Sequence, residues 1–152
     1  MAKFQYRMQN ILNIKYKLED TAKSEFAAAM HNLRMEEEQL SKLEERKYSY
    51  EMSYENAIMG ALDFLKIEEC ANAVDIMKIK ISEQEERVRA RSKELEHARK
   101  KLNEVIQERK MHEILRDKQF EVFLQELNLQ EVKEIDEVVS YQYGQGNTSV
   151  EE

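Results

Sequence analysis

Few residues in this chain could do chemistry, and their spacing completes no catalytic pattern. His112-Glu113 opens like the zinc motif His-Glu-x-x-His, where two histidines four residues apart share one helix face and the Glu acts as base. The fourth residue after His112 is Arg116, so no second ligand follows. Glu94 and His97 form one Glu-x-x-His, the element used in di-iron bundles. Such centres need a second copy and two further core glutamates. Neither His31 nor His112 has a Glu three residues earlier. Glycine occurs only at 60, 144 and 146, too sparsely for a phosphate-cradling loop. The carboxylate runs Glu36–Glu38, Glu68–Glu69 and Glu85–Glu86 read as solvated helix faces, with no pocket to shift a pKa. Cys70 is the only cysteine. It follows two glutamates, which disfavours a reactive thiolate and leaves it a packing role. The expectation is a protein without catalytic residues, metal or cofactor: not an enzyme.

The elements that would have to position any site are helical. The 152 residues include no Pro and only three Gly, so the chain has very few breaks. Charged residues make up 36% and aromatics 8%, which suits a coiled coil with a narrow buried seam better than a compact globule. The formal net charge is -7, from 24 Lys and Arg against 31 Asp and Glu, with both signs interleaved. Interleaving supports i,i+4 pairs and gives no sustained basic face for nucleic acid. No window approaches the roughly 20 apolar residues of a membrane span. The start, MAKFQYRM, lacks the apolar stretch of a signal peptide. A cytoplasmic location is expected, with membrane contact at most peripheral and no direct insertion.

Apolar residues recur at alternating steps of three and four, the coiled-coil period. The first run reads Phe4, Met8, Ile11, Lys15, Leu18, Ala22, Glu25 and Ala29, with Phe26 beside the weak Glu25. It continues through Leu33, Leu40, Leu43, Lys47, Tyr50, Tyr54, Ala57 and Ala61. The second run reads Val74, Met77, Ile81, Gln84, Val88, Arg91, Leu95, Ala98, Leu102, Val105, Arg109 and His112. Past Ile114 the phase shifts to Phe120, Phe123, Leu124 and Leu127.

These runs predict an all-α fold, a long two-helix antiparallel coiled-coil hairpin spanning residues 1–140. The turn is expected within 62–75, capped by Asp63 or Asn72. Met59, Leu62, Phe64, Leu65 and Ile67 are too apolar for a bare loop and are expected to form a short helix or a folded cap over the apex. Two arms of nearly equal length, each about 85 Å at 1.5 Å per residue, would pair along their whole extent. A mirror about residues 68–70 would set Leu33 near Val105 or Ile106. A parallel dimer of straight helices is the competing arrangement, and it gives the interruption no purpose. From Tyr141 the aperiodic YQYGQGNTSVEE reads as a flexible tail over 141–152.

The chain ends resemble the flagellar export protein family FliJ. The family opens with a Phe and an (R/K)-(L/M)-x-x-(L/I/V)-L pattern, matched here by Phe4 and by Arg7, Met8, Ile11 and Leu12. Its end resembles the run Arg109, Glu113, Leu115, Arg116, Phe120 and Phe123, followed by Ile135-Asp136-Glu137 before a short polar tail. The resemblance implies a stalk-like coiled coil of the flagellar type III export apparatus, lying at the cytoplasmic membrane of the flagellar base. It implies three partners: the export ATPase hexamer, the cytoplasmic domain of the export-gate membrane protein, and export chaperones. A generic coiled-coil spacer or adaptor is the alternative.

For the ATPase, the resemblance implies contact through the two chain ends. The candidates are the basic Lys3, Arg7, Arg109, Arg116 and Lys118, and the apolar Met8, Phe120 and Phe123. Lys15 and Lys110 add to the same basic end. The plainer reading is that these cations only offset neighbouring glutamates. For the gate, the family's Gln, Leu and Tyr patch on the first arm is matched in part by Gln39, Leu43 and Tyr50. Arg46 stands where a second Tyr is expected, and Tyr54 extends the same side. Tyr48, off the strict seam, is the better candidate for an exposed aromatic. Seam packing is the alternative role for Leu43 and Tyr50.

Overall fold

The computed structural model describes residues 3–148. It contains two helices, α1 over Gln9–Met59 and α2 over Phe64–Thr148, and no strand among the described residues. The fold is all-α, two long helices packed against each other as an antiparallel hairpin coiled coil. The chain divides into two units, one of Leu18–Val105 and one of Met1–Lys17 with Ile106–Glu152.

In the Leu18–Val105 unit the seam follows the heptad. On α1, Ala22, Phe26, Ala29, Leu33, Leu40, Leu43, Lys47, Tyr54 and Ala57 are buried or half-buried. On α2 the expected run from Val74 to Val105 is buried or half-buried throughout. Ladder pairs fix direction and register. Lys101 Nζ lies 2.9 Å from Glu25 Oε2, and Gln84 Nε2 donates to the Glu36 carbonyl at 2.9 Å and to its carboxylate. Partners descend along α2 as they ascend along α1, so the helices are antiparallel. Between those two pairs, Leu33 stands opposite the Val88 region, not opposite Val105 or Ile106 as the mirror about 68–70 implied.

The register moved because the turn occupies 60–63, at the early edge of the expected 62–75. α1 ends at Met59, with Gly60 N–H donating to the Asn56 carbonyl at 3.2 Å. Asp63 then starts α2. Its Oδ1 receives the Lys66 N–H at 3.4 Å and its carbonyl receives the Ile67 N–H at 3.1 Å, which satisfies donors a helix start leaves open. Asn72 lies inside α2 and caps nothing. Nor do the apolar residues close a cap: Met59, Leu62, Phe64 and Leu65 are 64–86% exposed, and only Ile67 turns toward the seam. With a turn of a few residues the apex encloses no space for them to fill.

Two further expectations change. The arms are unequal, 51 residues in α1 against 85 in α2. The helix also continues through 141–148, where an aperiodic tail was expected, and 149–152 lie outside the described residues. Near the start of α1 the buried face is one residue out of the expected frame. Met8, Ile11 and Leu18 are 37–44% exposed, while Leu12 is fully buried and Glu19 is 7% exposed. Counting from Leu12 in steps of three and four gives Lys15, Glu19, Ala22, Phe26 and Ala29 without a break. Lys15 and Ala22 belong to both frames, and the charge at Glu19 hides the true one from an apolar count.

Candidate partner-binding surfaces

The terminal unit is organised by aromatic packing and by one compact charge cluster. The Phe4 ring meets Phe120 edge-on at 5.1 Å and Phe123 at 5.6 Å between centroids, which ties the N-terminal segment to α2. Phe120, Phe123 and Leu127 face the N-terminal segment because they follow the three-four step from Arg116. Tyr6 is buried beside them, and its hydroxyl has no hydrogen-bond partner among the described residues; the same holds for His112 Nδ1.

One turn toward the middle of α2, Glu113 accepts a hydrogen bond from the Tyr16 hydroxyl and another from Arg109 Nη1 at 3.0 Å. The Tyr16 hydrogen bond, followed by the Arg109 and Arg116 guanidiniums, holds the Glu113 carboxyl below its ordinary range. The same hydrogen bond raises the Tyr16 phenol. Lys15 Nζ sits 2.8 Å from Glu108 and likewise lowers that carboxyl.

These contacts sort the expected ATPase-contact residues. Lys3, Arg7 and Lys118 are exposed, and Lys110 with them. Met8 and Phe120 are 37% and 42% exposed, and Phe123 is half-buried against Phe4. Arg109 instead turns inward to Glu113, with a side chain 20% exposed, and Arg116 is half-buried with Nη2 3.7 Å from Asp117. Lys15 is spent on Glu108. Of the expected basic residues, Lys3, Arg7, Lys110 and Lys118 are therefore the ones that face outward.

Beyond Leu127, every described side chain of α2 to Gln145 is exposed, including Leu129, Val132, Ile135, Val138 and Val139. Sequence reasoning missed these as surface residues because it paired α2 with an equal arm.

In the Leu18–Val105 unit the expected gate-contact residues divide in the same way. Leu43 is buried in the seam at 7% exposure. Gln39, Tyr48 and Tyr50 are exposed, Tyr48 at 64% against 38% for Tyr50, and Tyr54 is half-buried beside Glu51 and Val74 in a shallow groove. Among the described residues no group of three His, Cys, Asp or Glu could hold a metal ion, and no helix is long and apolar enough to cross a membrane.

The family model described as "Flagellar FliJ protein" matches residues 4–148. Among solved structures, the chain is similar to one from Chlamydia trachomatis described as a YscO homolog, CT670. That match has 22% identity and a TM-score of 0.65, and covers 96% of this chain and 99% of that one. At that identity the likeness shows the shared fold. No curated protein matches the sequence.

Proposed function

The chain belongs to the FliJ family and is a component of a type III export apparatus, and on that premise we propose that it acts as a stalk whose paired chain ends engage the ring of the export ATPase and promote its assembly. The observation that carries this reading is the terminal unit. Phe4 clamps the start of the chain onto Phe120 and Phe123, and Lys3 and Arg7 line one surface with Gln119, Val122, Phe123 and Glu126. Its two cations against the one carboxylate of Glu126 leave it net positive on a chain of net charge -7. Exposed charge of one sign steers a partner of the other sign and orients the encounter more than it adds affinity. Tyr48, Tyr50, Gln39 and Tyr54 on α1 supply a separate surface for the cytoplasmic domain of the export gate, with Leu43 supporting it from the seam. Escort of empty export chaperones, and peripheral residence at the membrane through the gate, belong to the same reading.

The test is to mix the protein with the export ATPase and measure ring formation and ATP hydrolysis. Reversing Lys3 and Arg7 to Glu should lower the stimulation several-fold while the helical circular-dichroism signal stays at the wild-type level. Higher salt should lower it in the same direction, because exposed charges are screened beyond about 10 Å at 0.1 M. Full stimulation by the reversed protein at moderate salt would move the contact to Met8 and Phe120. No stimulation by the wild-type protein would favour a plain spacer.

A further inference from the structure

The inner face of α2 in the terminal unit packs on the N-terminal segment, yet its outer face carries a second heptad that stays exposed among the described residues. Starting at Met111 and stepping four, three, four, three, the positions run without a break to Tyr143. Seven of these ten positions are apolar, and those seven are 44–75% exposed. At 3.6 residues per turn, Lys118 lies about 200° around the helix from half-buried Arg116, so this stripe is opposite the hairpin seam. A three-four repeat held over more than four heptads is the signature of a helix made to pair with another.

The charges on the stripe say what the other helix is. Of its ten positions only Lys118, Gln125 and Asp136 are polar, one cation and one anion among them. Two copies laid parallel would set Lys118 on Lys118 and Asp136 on Asp136. Laid antiparallel about residue 127, every position falls on a partner position of the same stripe. Met111 meets Tyr143, Leu115 meets Val139, Val122 meets Val132, Gln125 meets Leu129, and Lys118 meets Asp136. Two-fold symmetry makes each of these contacts twice, as an isologous interface requires. Sliding by one heptad either way would set Lys118 against Leu129 or Tyr143, leaving a charge buried without its counter-charge.

The flanking positions agree. Ile114 and Ile135, 54% and 62% exposed, widen the apolar stripe. The one like-charge contact in this register is Glu126 against its own copy, at the rim.

We infer that the outer face of α2 is a self-association surface, on which a second copy of this chain docks antiparallel about residue 127 through a Lys118–Asp136 pair made twice. The surface adjoins that of Lys3 and Arg7 at Val122 and Glu126, and the inference does not rest on the ATPase reading.

The test uses the full-length chain in sedimentation equilibrium from about 1 to about 200 µM, the range where moderate association is measurable. The wild type should pass from monomer to dimer across that range. Lys118→Glu should weaken dimerisation on the order of tenfold or more, since it sets like charges together twice. The double variant Lys118→Glu, Asp136→Lys should return to within about threefold of the wild type, because a restored pair is what a charge-swap cycle detects. Glu126→Gln should tighten it. In a Cys70→Ser background, mixed Val122→Cys and Val132→Cys proteins should form the heterodisulfide in preference to either homodisulfide. A wild type that stays monomeric throughout would overturn the inference, and so would a charge swap as weak as the single reversal or a preference for the 122–122 crosslink. Circular dichroism of each variant separates loss of pairing from loss of helix.

Discussion

The Tyr16 hydroxyl on α1 donates a hydrogen bond to the Glu113 carboxylate on α2, and Arg109, one turn before Glu113, closes on the same carboxylate at 3.0 Å. The linkage has a sign. Glu113 has its pKa lowered from 4.5 by this arrangement, so its contribution to stability is full above pH 4.5 and is lost as the pH falls through the lowered value. Tyr16 is raised from 10.0, so its contribution is full below pH 10.0 and is lost as the pH rises through the raised value. Urea unfolding should therefore show Glu113→Gln less stable than wild type at pH 7 by about 1 kcal/mol. The difference should shrink toward zero as the pH falls through the lowered value. A difference that persists in acid would mean the carboxylate charge is not what holds the cluster.

The same contact changes how Arg109 is to be used as a probe. Reversing it would leave Glu113 facing a like charge inside the hairpin. Arg109→Glu is expected to lower the unfolding midpoint as well as any partner binding, whereas Lys3→Glu and Arg7→Glu should leave the midpoint unchanged. Thermal melts of the three variants side by side decide this.

Leu12 and Ile11 are adjacent, but only Leu12 is fully buried. Leu12→Ala should cost about 2–4 kcal/mol in denaturant unfolding, the range for a large-to-small change in a packed site, and Ile11→Ala under about 1 kcal/mol. Similar costs at the two positions would contradict the observed frame of α1.

Gln84, 4% exposed, spends its amide on the Glu36 main chain and carboxylate. A buried polar residue at a seam position costs stability and fixes register. Gln84→Leu should raise the melting temperature while loosening the alignment. A Leu33→Cys, Val88→Cys pair that crosslinks cleanly within one chain should then give mixed products. A lower melting temperature would mean the hydrogen bonds outweigh the apolar gain.

Tyr6 buries a hydroxyl without a partner. Removing such a group relieves a desolvation cost of about 1–3 kcal/mol. Tyr6→Phe should therefore be neutral or stabilising on thermal unfolding, and a loss above about 1 kcal/mol would show that the hydroxyl is bonded in solution.

The helical hairpin was legible because α2 carries apolar residues at nearly every seam position from Val74 to Leu102. α1 was harder. Its true frame runs Leu12, Lys15, Glu19 and Ala22, and apolar counting took Ile11 and Leu18 in place of Leu12 and the charged Glu19. The turn was placed late because Met59, Leu62, Phe64 and Leu65 look like core, and only the Asp63 side chain, received as one of two possible caps, marked the start of α2. The outward cations Lys3, Arg7 and Lys118 could be read from charge alone. The inward turn of Arg109 could not, since it depends on Tyr16 and Glu113 meeting across the two helices.

Contact mapping with the export ATPase tests the stalk reading most directly. A photoreactive residue placed at Arg7 or Phe120, in the terminal unit, should crosslink to the ATPase hexamer in the presence of nucleotide. The same probe at Tyr48 should leave the ATPase unlabelled and label the cytoplasmic domain of the export gate instead. Labelling of the ATPase from Tyr48, with none from Arg7 or Phe120, would contradict a ring contact built from the chain ends.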